Sequence, residues 1–142
     1  MQGRFFEDLS VGDSAGMTRT VTDEVIQAFA EVSTDSNPVH LDQAYAEGTM
    51  FKGRIAHGML SGAYVSAVIG MQLPGPGTIY LSQSLRFRRP VRLGDVVDVR
   101  VTVQALDPAR GEVTLSTVCE VAGKRVVEGE ALVLAPRRGT AG

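Results

Sequence analysis

The chain has no tryptophan, one cysteine and two histidines among its 142 residues, and each scarcity narrows what it can be. A single cysteine, Cys119, forms no internal disulfide. It falls on the apolar phase of a predicted strand and reads as a small buried hydrophobe. That usage suits a reduced, cytoplasmic enzyme. Two histidines and one cysteine, with no ligand-spaced cluster, leave little to coordinate a metal, so no metal is expected. An excess of basic charge is also lacking: 14 Lys and Arg against 16 Asp and Glu leave a formal net charge of −2, which gives no electrostatic case for nucleic acid. No apolar run approaches the roughly 20 residues that a membrane span requires, so no membrane association is expected. The first residues, MQGRFFEDLSVGD, show neither the basic nor the apolar region of a signal peptide.

What is present is an ordinary globular composition, 44% hydrophobic. A chain of this size buries roughly 68–70% of its unfolded surface, enough for a core without disulfides or metal. One domain is expected over residues 1–142, with a flexible tail from about residue 137. There is no linker, repeat or low-complexity segment.

The order reads as helices first and strands afterwards. Thr22 is a candidate N-cap, with Asp23 and Glu24 in the first turn where carboxylates meet the positive helix end. Val25, Ile26, Phe29 and Val32 recur at helical spacing. Pro38 and the polar STDSN stretch end that helix near Ser33. A short helix is predicted over about Leu41–Glu47, stopped by Gly48. From Gly58 to about Gln72 apolar residues occupy nearly the whole helical circumference, with Gly62, Ala63, Ser66 and Ala67 keeping it slim. A helix apolar all round is a buried helix. Leu73-Pro74-Gly75-Pro76-Gly77 breaks it.

Three or four long strands follow. Ile79, Leu81, Leu85 and Phe87 share one face of a strand predicted over Thr78–Arg88. Val97, Val99, Val101 and Val103 alternate with polar residues. So do Val113, Leu115, Thr117, Cys119 and Val121 beyond the Asp107–Gly111 turn. Ala122-Gly123-Lys124 forms a hairpin loop leading into Val127, Ala131 and Val133. Helices segregated from an antiparallel sheet define an α+β domain, one buried helix against a curved sheet.

The stretch Ser33-Thr34-Asp35-Ser36-Asn37-Pro38-Val39-His40 lies in a loop between two helices, a common location for functional groups. Asp35 and His40 stand five residues apart across a proline-stiffened turn, which allows a carboxylate and an imidazole to converge on one point. Such a pair can deprotonate a water and protonate a carbon, with general acid–base help of about 10²–10⁴-fold. On spacing alone the same residues also fit a capped turn and a packed imidazole. In Ile55-Ala56-His57-Gly58-Met59-Leu60, a polar loop enters the buried helix. The first amides of a helix lack intrahelical partners, and Gly58 would let a ligand approach the backbone closely. A thioester carbonyl placed there would have its developing charge stabilised. A tight turn at Gly58 explains the residue equally well, and for His57 a positional role is favoured over a catalytic one.

DSNPVH, then IAHGML about fifteen residues on, then QLPGPGTIYLSQSLRFRRPVRLGD together resemble the MaoC-like hydratase family. Within it, the likeness is to the short, single-hotdog R-specific enoyl-CoA hydratases, and it runs from Phe6 to about Pro136. The resemblance implies a hotdog fold, a long central helix wrapped by a curved antiparallel sheet, and a homodimer. It implies reversible syn addition of water to a trans-2-enoyl-CoA, giving an (R)-3-hydroxyacyl-CoA, with coenzyme A present only as part of the substrate and no other cofactor. Asp35 and His40 match the catalytic pair, Gly58 the oxyanion-hole amide and Asn37 the loop-bracing asparagine. Ser66, Ile69 and Leu132 match acyl-pocket positions. Together with Tyr64, Ile69 and Leu132 suggest a pocket of limited depth for short acyl chains. Arg86, Arg88, Arg89 and Arg92 form a basic cluster suited to phosphates or, equally, to a solvated strand end. The family pattern usually carries glycine where this chain has Thr34. The rival readings are a 3-hydroxyacyl-[acyl-carrier-protein] dehydratase, an acyl-CoA thioesterase and a non-catalytic acyl-thioester binding module.

Overall fold

The computed structural model describes residues 3–139. A 3-10 turn at Phe6–Asp8 leads into β1 (Ser14–Thr20). Then come α1 (Asp23–Ser33), α2 (Pro38–Leu41), α3 (Gln43–Glu47) and α4 (Gly58–Met71). The remaining strands are β2 (Ile79–Gln83), β3 (Arg86–Phe87), β4 (Val96–Asp107), β5 (Glu112–Val121) and β6 (Lys124–Leu134). They form one antiparallel sheet in the order β1-β4-β5-β6-β2, with β3 also pairing with β6. This is the hotdog arrangement, a sheet wrapped around a single long helix.

The core follows from period-two alternation, which sends every second side chain of a strand to the same face. Val97, Val99, Val101 and Val103 of β4, Val113 and Leu115 of β5, and Ala131 and Val133 of β6 are essentially inaccessible. Against them lie Leu60, Val65, Val68 and Ile69 of α4. Burial of each such side chain is worth about 1.5–3 kcal/mol. Cys119 belongs to this layer, and burial pushes its thiol up to about 12, as expected of an inert core residue. The β5–β6 hairpin turns at Ala122 and Gly123, both at positive φ, the backbone that matches a tight two-residue turn to sheet twist. Thr22 caps α1, accepting a hydrogen bond from the Val25 amide.

Four expectations are corrected. Strand β1 precedes the helices, so the chain does not read as helices then strands; β1 is stabilised by non-local pairing with β4 rather than by a pattern of its own. The segment Thr78–Arg88 is two strands. Its backbone crosses β6 at Ser84, where a Cβ on Gly129 would lie 1.9 Å from the Ser84 carbonyl oxygen. The apolar face expected there is largely exposed, with Leu85 alone packing against the core. Helix α4 is buried on one side only: Met59, Ala63, Ser66, Ala67 and Met71 face outward, because the sheet of one chain reaches only one side of it. Finally, the C-terminal segment is anchored where a tail was expected. The Arg138 guanidinium pairs with both carboxylate oxygens of Asp8 at 2.8 Å, and its amide donates to Glu7 at 2.6 Å. Residues 140–142 of that expected tail lie outside the described residues. No helix among the described residues is long and apolar enough to cross a membrane.

Candidate active site

Helix α1 ends on Thr34, its C-cap, at φ 66° and ψ 8°. That is the left-handed conformation in which helices commonly end on glycine. It explains in backbone terms why glycine is usual here in the family the motifs resemble. Directly after it, Asp35 is held by a ladder of short-range bonds. Its amide donates to Ser33 Oγ at 3.1 Å, and its Oδ1 accepts from the Asn37 amide at 3.2 Å. Asn37 in turn caps α2, its Oδ1 accepting from the Val39 amide at 3.1 Å, with Pro38 at the first helical position where no amide is needed. His40 therefore stands on a four-residue helix, not in the loop expected for it, and the helix expected over Leu41–Glu47 is split in two by Asp42, which caps α3.

The His40 side chain is 8% exposed, and its Nδ1 lies 2.8 Å from the Ile55 carbonyl oxygen. A carbonyl only accepts, so Nδ1 carries the proton and Nε2 is left with a free lone pair. Burial holds the His40 imidazole below its ordinary value, and the neighbouring His57 acts in the same direction. The Ile55 carbonyl and the Asp35 charge oppose both. The backbone of α2 is tied down from outside: Arg54 Nε donates to the His40 carbonyl at 2.7 Å while its Nη2 pairs with Asp23 on α1 at 2.5 Å.

His57 completes the group. It is 3% exposed, its ring stacks on that of His40 with centroids 3.8 Å apart and planes 27° apart, and the edge of Phe29 meets it at 5.0 Å. Its Nε2 donates to the main-chain carbonyl of Asp35 at 2.8 Å. One side-chain atom from each of Asp35, His40 and His57 lies within 4.8 Å of the others. A span of that size has room for a single water bridging the Asp35 carboxylate and an imidazole nitrogen by two bonds of about 2.8 Å. It does not suit a metal. Imidazole lone pairs lie in the ring plane, and two planes so nearly parallel do not converge on a point about 2.1 Å from both rings.

Gly58 opens α4, so its amide has no intrahelical acceptor. The missing side chain also has a packing reason. A Cβ there would sit 2.8 Å from the Phe87 ring, so the glycine makes room for an aromatic neighbour. Two depressions meet at Met59. One, of about 610 Å³, is lined by His57, Gly58, Phe51, Phe87 and Arg89 among others. The second, of about 460 Å³, runs along the outward face of α4 between Phe29, Ser66, Tyr80 and Gln83. Ser66 thus lies on the groove along α4, which neither Asp35 nor His40 lines. Ile69 does not: it is packed beneath the sheet. Leu132 alternates with the buried Ala131 and Val133 and therefore faces the other side of β6, and Tyr64 lines neither depression. Of the arginine cluster, Arg88 and Arg89 reach the rim of the larger cleft, with Arg88 paired to Glu128 at 2.5 Å. Arg86 lines a separate depression together with Arg88, Ser116 and Arg125, and Arg92 lines neither.

Reasoning from the sequence missed Arg54 and the contacts of Phe29 and Phe87. Arg54 lies three residues before His57, but no spacing rule connects it to the carbonyl of His40.

Comparison with known proteins bears on the family and the fold. The family model described as "MaoC like domain" matches residues 11–130. An (R)-specific enoyl-CoA hydratase of Rhodospirillum rubrum is 53% identical over 135 residues, covering 95% of this chain and 94% of that protein. The unliganded R-hydratase of Pseudomonas aeruginosa superposes with a TM-score of 0.91 at 51% identity, covering 96% of this chain and 88% of that one. An (R)-hydratase of Aeromonas caviae involved in PHA biosynthesis superposes at 0.89 with 43% identity, over 92% and 99% of the two chains.

Proposed function

The chain belongs to the MaoC-like domain family, and from that premise we propose that it is an R-specific enoyl-CoA hydratase, a hydro-lyase that adds water across a trans-2-enoyl-CoA to give the (R)-3-hydroxyacyl-CoA. The observation that carries the reading is the pairing of Asp35 with a His40 whose Nε2 is left free, beside the unpartnered amide of Gly58.

In the mechanism, the thioester carbonyl accepts a hydrogen bond from the Gly58 amide, which stabilises charge moving onto that oxygen. An oxyanion-hole donor of this kind is commonly worth ~2.7–4 kcal/mol. A water held between the Asp35 carboxylate and His40 Nε2 gives its hydroxyl to the β-carbon and its proton to the dyad. The dyad returns one proton to the α-carbon on the same face, so addition is syn and atoms balance. The roles of base and acid belong to the pair rather than to either residue alone. No step calls for a metal or a redox cofactor. Delivery on one face of the β-carbon gives a single enantiomer, assigned as R from the likeness to (R)-specific hydratases, and the same groups run the dehydration in reverse.

The finer expectations are a homodimer and a cytoplasmic enzyme acting on free acyl-CoA. The outward apolar face of α4, with Met59 58% exposed, supports a second copy over that groove.

The test is loss of enoyl absorbance from crotonyl-CoA, coupled to an R-specific 3-hydroxyacyl-CoA dehydrogenase. Wild type should turn over with an R product, and Asp35→Asn and His40→Ala should each lose about 10²–10⁴-fold in kcat. Absence of turnover on any short or medium enoyl-CoA would sink the reading and turn attention to carrier-protein substrates.

A further inference from the structure

Among the described residues, the His57 Nδ1 is the one buried side-chain nitrogen or oxygen that no hydrogen bond reaches. An unsatisfied buried polar atom costs roughly 1–3 kcal/mol, so a histidine kept in such a place calls for a reason. A leucine or phenylalanine would fill this apolar corner beside Phe29 without that cost. What neither could do is what the two faces of His57 do here. Its Nε2 donates to the Asp35 main-chain carbonyl, 22 residues away in sequence, and its ring lies flat on His40.

We propose that His57 is a positioning residue for the dyad, fixing Asp35 through the Nε2–H bond to its carbonyl and fixing the His40 ring by stacking. The proposal rests on Asp35 and His40 being the reacting pair. It assigns His57 no proton transfer. Nε2 is committed to a carbonyl that cannot return a proton, and Nδ1 is sealed from solvent. The arrangement serves both members of the dyad from one side chain. Asp35 follows the strained end of α1, with nearby bonds only from its own loop. The bond from His57 is the contact that ties that loop to the mouth of α4, where Gly58 presents its amide. His40, anchored at Nδ1 by Ile55, would still rotate about that anchor without a flat neighbour. Misplacing a reacting group by about 1 Å costs on the order of 10²-fold, which sets the scale of the effect.

Three variants separate the two contacts. His57→Gln keeps an N–H donor within reach of Asp35 but loses the ring; His57→Phe keeps the ring but loses the donor; His57→Leu loses both. With crotonyl-CoA, His57→Leu should lose about 10–100-fold in kcat, and the other two should fall between it and wild type. KM should change less than kcat in all three, because the proposal gives His57 no hydrogen bond to the substrate. An unchanged kcat in His57→Leu would overturn the proposal. So would equal loss in all three, since that pattern belongs to a histidine that itself transfers protons. If a variant does not fold, nitrogen NMR of the wild-type histidines decides: the His57 Nε2 should carry a proton. A proton on Nδ1 alone would overturn the assignment. An inactive wild type, by contrast, would overturn the hydratase reading and leave the NMR result to judge the hydrogen bond alone.

Discussion

The sheet-and-helix core and the segment from Ser33 to Gly58 are built on opposite principles. The core is held by valines and leucines whose burial is non-directional, so many arrangements of similar volume would serve. The site segment buries little apolar surface, and its geometry rests on bonds with direction: Asp35 to Ser33, Asn37 to Asp35, Val39 to Asn37, His40 to Ile55, Arg54 to His40 and Asp23, His57 to Asp35. The difference teaches where stability and activity reside. Damage to the core should lower the number of folded molecules; damage to the cradle should leave folded molecules that work poorly.

The sharpest way to break that contrast is to set the dyad variants against a core variant. Leu115→Ala removes a fully buried side chain facing α4 and should cost about 2–5 kcal/mol of stability. Denaturant unfolding would show this as a lower midpoint, while kcat per folded molecule stays near wild type. His40→Ala should do the reverse, with its loss in kcat and a midpoint shifted much less. If Leu115→Ala abolished kcat in fully folded protein, the two regions would be coupled and the contrast would fail.

How far the sequence could be read follows the same divide. The Asp-Ser-Asn-Pro-Val-His motif and the alternating valines were legible because each is a local pattern with a local cause. The α1 cap and the Ala122–Gly123 turn were legible for that reason too. Strand β1 was not. Its residues, SAGMTRT, alternate weakly, and the strand is fixed by register with Val96–Thr102 more than seventy positions away. Nor was the outward half of α4, since composition records that a face is apolar without recording what covers it. Ile69 and Leu132 share the difficulty: apolar positions on a helix and a strand look alike whether they line a groove or fill the core. Arg54 shows the limit on the polar side, because a bond from a side chain to a distant carbonyl leaves no spacing to find.

A smaller effect tests the electrostatics of the cradle. Burial, helped by His57, holds His40 below its ordinary value of about 6.5, so the native state resists a proton that the unfolded chain accepts. The unfolded state therefore binds more protons in the window just below pH 6.5. Stability is lost as pH falls through that window to the native value, and it is not regained below. The acid limb of kcat/KM should lie below about pH 6.5 for the same reason. The Asp35 charge acts the other way on His40, so Asp35→Asn should move the imidazole lower still. Proton NMR titration can follow this without activity, since only two histidine signals compete. A native His40 titrating above 6.5 would mean that its surroundings favour the imidazolium and that the dyad starts from the opposite protonation state.

The smallest expected effect lies where the two regions join. Thr34 ends α1 at φ 66°, a conformation in which a β-branched residue is an outlier and an L-residue carries roughly 1–2 kcal/mol of strain. Thr34→Gly should relieve that strain. Part of the gain is offset by the extra freedom of the unfolded chain, about 0.4–1 kcal/mol. The net should be a stabilisation of up to about 1 kcal/mol, or on the order of 2–4 °C in Tm for a chain of this size. Activity should change by less than about two-fold, because Asp35 keeps its bonds from His57 and Asn37 and to Ser33, none of which involves the Thr34 side chain. A clear loss of kcat with a raised Tm would mean that the stiffness of threonine, rather than the hydrogen bonds around Asp35, holds the carboxylate in place. Site geometry would then depend on backbone strain, and the division between an apolar core that stabilises and a polar cradle that positions would have to be redrawn at this residue.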